Sequence, residues 1–200
     1  MSEIASTNAT RPSLLDRAAN RDEEAWRQLV DLYGPLIDGW CRRCNLDSHA
    51  VADVIQEVFI TISKSIGHFR AVPGKGAFRS WLWMITRNKV IDRCRKYKDS
   101  LPPGGSSALR IISQLPDPES IPDDEPSDPD LLGSLTRRAL AQLEAEFLPS
   151  TWQAFWRTVV DGLATDVVAI ELGLSTASVR QARSRILRRL RLQLGDCQDK

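Results

Sequence analysis

A proline-rich acidic stretch in the middle of the chain constrains the fold more than any other feature. Seven of the 11 prolines in the 200 residues lie between positions 101 and 130, together with seven acidic residues and one basic residue. Proline removes a backbone donor and disfavours helix for the residue before it, and like charges extend a chain. We therefore expect a linker here, with a folded domain on either side.

This linker also hides the charge of the two flanks. The whole chain has 27 basic and 26 acidic residues, a net charge of +1 that by itself argues against a nucleic-acid partner. Residues 1–100 hold 16 basic and 12 acidic residues, and residues 131–200 hold 10 and 7. The local charges are therefore +4, −6 and +3 along the chain. Two basic modules joined by an acidic tether leave nucleic acid open as a partner.

Composition excludes several classes of protein. A hydrophobic content of 42% excludes a chain that is disordered throughout. The longest uninterrupted apolar run is the five residues from Trp81 to Ile85, whereas a membrane-spanning helix needs about 20. The N-terminus lacks the basic start and apolar stretch of a secretory signal. We expect a cytoplasmic protein without a membrane span, whose four cysteines are thiols.

Both flanks read as helical. Their apolar residues recur at steps of three and four, and strand-like alternation is almost absent. The first long helix is predicted from Asn20, as N-cap, to Cys41, with a kink or break at Gly34-Pro35. After the linker, Ser150 is the predicted N-cap of a further helix. The predicted fold is all-α, with two small helical domains.

A helix-turn-helix is the most informative part of the second domain. It extends from Thr165 to Leu190, with Gly173 in the turn and an apolar stripe on each helix. Six arginines and no acid lie between Thr176 and Arg191, which suits phosphate contacts, although an ordinary helical hairpin with a solvated basic face is the alternative. The candidates for DNA contact are Thr176, Ser178, Arg180, Gln181, Ser184, Arg185 and Arg188. Which of them read bases and which bind phosphates stays open.

The first domain has its own basic segment, from Arg79 to Lys98, with seven basic residues and one acid. Aromatic residues alternate with the charges, a combination that binds single-stranded DNA by stacking on bases and neutralising phosphates. Trp81 shares a helical face with apolar neighbours and is the better candidate for the core. Trp83 falls roughly opposite, so we expect it to be exposed.

An acidic, amide-bearing face is predicted on the preceding helix, from about Asp47 to Ser65. Asp53, Gln56 and Glu57 lie within about 100° of one another, opposite its apolar stripe. Such a face suits a basic protein surface better than DNA. Taken alone, it is more often simply a solvated helix face.

Together these segments resemble a known family. Ala52 to Phe59, Phe69-Arg70, Phe78 to Asn88 and Ile91 to Arg93 resemble conserved region two of bacterial sigma factors. The linker and the helix-turn-helix that follow resemble the extracytoplasmic-function (ECF) group of the sigma-70 family. This resemblance implies a region-two-like domain at 21–98, a linker at 99–133 and a region-four-like domain at 134–195, with short terminal segments at 1–20 and 196–200.

The resemblance also implies partners and roles. In that family the Asp-x-x-Gln-Glu face contacts core RNA polymerase, which assigns Asp53, Gln56 and Glu57. Region two opens promoter DNA and reads its minus-ten element, and the helix from Thr176 reads the minus-thirty-five element. The loop from Arg70 to Gly76 matches the family's base-capturing loop in position. The minus-ten candidates are Arg79, Trp81, Trp83, Arg87, Asn88 and Arg93.

Several alternatives stay open beside this interpretation. The linker would thread the polymerase's basic channels by resemblance, or it is a solvated spacer. A helix-turn-helix regulator that never binds polymerase is the alternative function. An anti-sigma factor is a common partner in the family, but no motif identifies one. Cys41-x-x-Cys44 lacks a second ligand pair for zinc, and no catalytic motif is visible, so we expect no metal, no cofactor and no catalytic residue.

Overall fold

The computed structural model describes residues 12–70, 77–100 and 117–195. Within these ranges the chain forms eight α-helices and two single 3-10 turns, with no strand, which confirms the predicted all-α class. The helices are α1 (Leu14–Ala19), α2 (Glu23–Arg43), α3 (Ser48–Ser65), α4 (Ala77–Ser100), α5 (Pro129–Glu144), α6 (Pro149–Val159), α7 (Thr165–Leu172) and α8 (Thr176–Gln193).

The start of α2 differs from the prediction. Its N-cap is Asp22, whose carboxylate accepts from the Ala25 amide at 3.0 Å, while Asn20 instead caps the end of α1. The hydrogen bond from Arg17, followed by that of the Ala25 amide, lowers the pKa of Asp22 below its ordinary value. The helix also continues as one element through Pro35, because the apolar residues on both sides of the proline pack into the same core.

Most of the buried apolar residues described belong to one core, to which α2 contributes more residues than any other helix. This helix lies against α1, α3, α4 and α5, which bury eight of its residues, while Val30 is 41% exposed. Edge-to-face aromatic pairs join it to α4: Tyr33 meets Phe78 at 5.0 Å and Trp40 meets Trp83 at 5.3 Å between ring centroids. Such pairs add about 0.5–1.5 kcal/mol each to the gain from burial. The position of α4, which carries the basic segment, is thereby fixed against α2.

Helix occupies both ends of the segment predicted as linker. The α4 helix ends at Ser100, and α5 begins at Pro129 with Asp128 as its N-cap. Proline suits the first turn of a helix, where its missing amide would have no partner. Residues 101–116, in the middle of the predicted linker, lie outside the described residues, as does the predicted terminal segment 196–200.

The C-terminal helices contain the predicted helix-turn-helix. Gly173 ends α7 in the left-handed conformation, with φ of 64°, and Ser175 caps α8 by accepting from the Ser178 amide. Small Ala169 and Ala182 are buried between the two helices. The predicted cap at Ser150 is wrong, because α6 begins one residue earlier, at Pro149, after Leu148.

The two halves of the molecule pack against each other. The Tyr33 hydroxyl donates to the Leu194 carbonyl at 3.0 Å, and Gln142 Nε2 donates to the Gln28 carbonyl at 3.0 Å. Leu194, just beyond α8, is buried in the same core as α2. The C-terminal end of α8 is therefore tied to the N-terminal half of the molecule. Of the helices described, none is long and apolar enough to cross a membrane.

Candidate polymerase and nucleic-acid interfaces

The acidic face of α3 is exposed as the sequence predicts. Val51, Val54 and Val58 turn into the core, which leaves Asp53, Gln56 and Glu57 on the solvent side. Asp53 Oδ2 lies 2.9 Å from Arg93 Nη1, and Glu57 Oε2 lies 3.5 Å from Lys89 Nζ, both on α4. Exposed pairs of this kind are worth about 0–1 kcal/mol, so a partner's basic groups can replace them at little cost.

Two features beside these carboxylates were missed by the sequence reasoning. Ile60, one turn from Gln56, is 53% exposed and gives the acidic face an apolar edge. A surface pocket of about 250 Å³ lies between α3 and α4, lined by Glu57, Asp92, Arg93, Lys96 and Tyr97. The exposure of Ile60 could have been read from its offset of about 90° or more from the buried valines.

The structure divides the predicted minus-ten residues of α4 among three directions. Arg79, Trp83 and Arg87 follow one another at steps of four and form one face, which residues 121–125 cover. Trp81 and Asn88 belong to a second face. Arg93 lies about 120° round the helix from Arg87 and pairs with Asp53, so it joins the acidic face of α3.

Trp83 does not fit its prediction. It is 1% exposed, because its ring packs on Trp40 and its indole Nε1 donates to the Asp123 carbonyl at 3.2 Å. The covering group is distant in sequence, and no helical-wheel argument within α4 could reveal it. Trp81 is the half-buried tryptophan of this pair, and its ring lies tilted against Phe69 and Phe78, with centroids 5.1 and 5.6 Å away.

The second face of α4 is open to solvent. Ser80, Met84 and Asn88 are exposed at successive steps of four, and Met84 is 51% exposed. With the half-buried Trp81 beside them, they form a surface on which flat, partly apolar groups can lie. Ser80 and Met84 were missed, although their spacing from Asn88 signals the shared face. Arg70 is exposed before this helix, while positions 71–76 of the predicted base-capturing loop lie outside the described residues.

The face of α8 that the sequence predicts to contact DNA is exposed along its length. Val179, Ala182 and Ile186 are buried against α6 and α7, and the seven predicted DNA-contact residues are all exposed. The Ser178 hydroxyl forms a hydrogen bond with the hydroxyl of Ser175, the N-cap, and the two oxygens are 2.8 Å apart. Arg189 is a structural exception among the arginines, because its guanidinium forms two hydrogen bonds to Glu146 at 2.8 and 2.9 Å.

The cysteines near the end of α2 are thiols in apolar surroundings. Cys41 and Cys94 are buried, and Cys44 is half-buried. Burial raises the pKa of Cys41 to about 12 and also raises the pKa of Cys44 and of Cys94. The thiolate, which is the nucleophile and metal ligand, is therefore scarce at neutral pH. Cys197 lies outside the described residues.

Comparison with known proteins gives matches to one family. Residues 29–99 match the family model described as sigma-70 region 2. This range includes α3 with its acidic face and nearly all of α4. The ECF RNA polymerase sigma factor SigW of Bacillus subtilis is 28% identical over 123 residues, 60% of this chain and 64% of SigW.

Two further relatives carry similar names. The ECF RNA polymerase sigma factor SigE of Mycolicibacterium smegmatis is 26% identical over 160 residues, 78% of this chain and 56% of SigE. The ECF RNA polymerase sigma factor SigL of Mycobacterium tuberculosis is 28% identical over 183 residues, 88% of this chain and 93% of SigL. The chain thus spans less than two thirds of SigW and of SigE, and nearly all of SigL.

Proposed function

Since this chain belongs to the ECF group of the sigma-70 family of RNA polymerase sigma factors, we propose that it binds core RNA polymerase, recognises promoter DNA and promotes strand opening. One observation carries the proposal: a region-two segment with an exposed acidic face is followed, in the same chain, by a helix-turn-helix with an exposed basic face. A regulator that acts without polymerase would have no use for the first.

The polymerase contact is assigned to α3. Asp53, Gln56 and Glu57 are all exposed on one side of a helix whose other side is anchored in the core. Their salt bridges to α4 are weak enough to exchange for basic groups of a partner. Ile60 adds an apolar contact that excludes water at the edge of such an interface.

The two DNA contacts are assigned to α4 and α8. For the minus-ten element, Trp81 and Asn88 offer a stacking group and an amide on the open face, while Arg79, Trp83 and Arg87 offer donors on the covered face. Arg93 differs from the other minus-ten candidates, because its salt bridge to Asp53 places it beside the acidic face of α3. For the minus-thirty-five element, Arg180 and Gln181 have the chemistry for guanine and adenine edges in the major groove.

The proposal assigns no catalysis to this chain, since phosphodiester chemistry belongs to the polymerase. Its site of action is the cytoplasm, because its partner is RNA polymerase. An anti-sigma factor is a further partner that the family resemblance suggests.

The test is transcription by bacterial core polymerase, with and without this protein, from a set of candidate promoters. We expect start sites that depend on the protein. The double variant Asp53→Lys/Glu57→Lys should lose them together with polymerase binding, because like charges would face the partner's basic surface. The matched control is Asp31→Lys/Glu144→Lys, which makes the same charge change at exposed positions elsewhere.

Two results would contradict the proposal. If no start site depends on the protein, while it binds duplex DNA, the chain is a helix-turn-helix regulator. If the two charge-reversal variants lose polymerase binding equally, the loss comes from net charge, and α3 is not the interface.

A further inference from the structure

An acidic segment of the chain lies across the basic face of α4. We call residues 117–128 the strap; they contain six carboxylates, three prolines and no basic residue. Ile121 anchors the strap, since it is 4% exposed and belongs to the core around α2. Asp128, at the end of the strap, pairs with Arg43 on α2 and caps α5.

The hydrogen bonds described between the strap and this face run in one direction, with Arg87 and Trp83 of α4 donating to strap carbonyls, and two ion pairs add to them. Arg87 Nε donates to the Pro122 carbonyl at 3.1 Å and, less closely, to the Ile121 carbonyl at 3.3 Å. Arg87 Nη2 lies 2.7 Å from Asp123 Oδ1. Arg79 Nε forms an ion pair with Glu125 Oε1 at 3.3 Å, and the Trp83 indole donates to the Asp123 carbonyl.

This set of donors matches a nucleic-acid strand. Positions 79 and 87 are about 12 Å apart along the axis of α4, with the Trp83 indole N–H on the same face between them. Phosphate oxygens are acceptors of the same kind as carboxylates and carbonyls, and guanidinium groups bind both. With the strap in place, the Arg79 and Arg87 side chains are only 24% and 23% exposed.

We infer that the strap is a polyanionic peptide ligand of this face, and that it excludes single-stranded DNA from Arg79, Trp83 and Arg87 until it is displaced. The two occupants cannot bind together, because they use the same donor atoms. Displacement exchanges one set of acceptors for another, so its cost is set mainly by the ion pairs and by the burial of Ile121. The inference rests on the proposed function, which assigns this face to the minus-ten element.

The test compares the full-length protein with two strap variants. Asp123→Asn/Glu125→Gln removes both ion pairs to α4, and adding Ile121→Ala also weakens the apolar anchor. The control Glu119→Gln/Asp124→Asn removes the same charge from exposed positions of the strap. The probe is a fluorescein-labelled dT12 strand at low salt, with binding followed by anisotropy. A second measurement follows solvent exchange of the Trp83 indole proton by NMR, assigned with Trp83→Phe.

We expect dT12 to bind the charge variant about threefold more tightly than wild type, and the anchor variant about tenfold more tightly. The Trp83 indole proton should exchange slowly in wild type and in the control, and faster in both strap variants. Equal indole exchange in all four proteins would overturn the inference, since neither the ion pairs nor Ile121 would then hold the strap over Trp83. Faster exchange with unchanged dT12 affinity would also overturn it, because a docked strap would then mask nothing. Failure of the proposed function shows separately, as the absence of protein-dependent transcription.

Discussion

The arginines of α8 differ in what they contact. Arg189 is held in two hydrogen bonds by Glu146 on the α5–α6 connection and contributes to packing. Arg180, Arg185 and Arg188 are exposed and form no salt bridge with any residue in the described ranges. A guanidinium without a partner keeps its donors available for guanine or phosphate. Arg180, one turn from the start of α8, has the position from which recognition helices read base edges.

Arg180→Ala is predicted to reduce discrimination between promoter sequences by about 1–3 kcal/mol, because a bidentate contact to a base edge is lost. The measurement is binding of holoenzyme to matched and mismatched minus-thirty-five duplexes at fixed salt. The control is Arg137→Ala, which removes an exposed arginine on α5 and should change the binding of neither the matched nor the mismatched duplex. An equal loss on every sequence would make Arg180 a phosphate contact.

The sequence predicted the elements whose signals lie close together along the chain, and it failed where the deciding contact comes from a distant segment. The helix-turn-helix was found because its apolar spacing and its turn glycine lie within one segment, and Gly173 indeed has φ of 64°. The start of α2 was misplaced because Asn20 and Asp22 can both cap a helix, and the geometry favours the second. The burial of Trp83 could not be read from α4, since the group that covers it belongs to residue 123.

Gly173→Ala is predicted to destabilise the protein by about 1–2 kcal/mol, because a Cβ is unfavourable in the left-handed conformation. No atom lies within 4 Å of the added Cβ, so the cost comes from the backbone alone. Gly34→Ala, inside α2 and also without a neighbour within 4 Å, should have the opposite sign, since alanine favours helix by up to about 1 kcal/mol. Urea unfolding of both variants measures this difference, and a shared sign would contradict it.

At the scale of the whole molecule, the contact between the halves places a glycine of α2 against a leucine of α5. A Cβ at Gly39 would lie 2.6 and 2.8 Å from the two methyl groups of Leu131, so a larger residue at this position requires the Leu131 side chain or α5 to move. The hydrogen bonds from Tyr33 to Leu194 and from Gln142 to Gln28 support the same contact. No motif in the sequence predicts this contact, because the surfaces that meet are about 100 residues or more apart along the chain.

Gly39→Leu is predicted to separate α5 from α2 and to raise the radius of gyration measured by small-angle X-ray scattering. Gly34→Leu, on the same helix, is the matched control, because an added Cβ there has no neighbour within 4 Å. Both substitutions raise helix propensity equally, so a difference between them reports the contact itself. Equal radii for the two variants would show that the halves do not depend on close approach at Gly39.

The hydrogen bond between Tyr33 and Leu194 also limits how far the molecule can reach, because it holds the two halves together. A folded body of this size is about 40 Å across. The minus-ten and minus-thirty-five elements are about 25 base pairs apart, or about 85 Å along B-form DNA at 3.4 Å per base pair. A molecule with its halves packed together can therefore reach one element at a time, and must extend to roughly twice its width before it holds both.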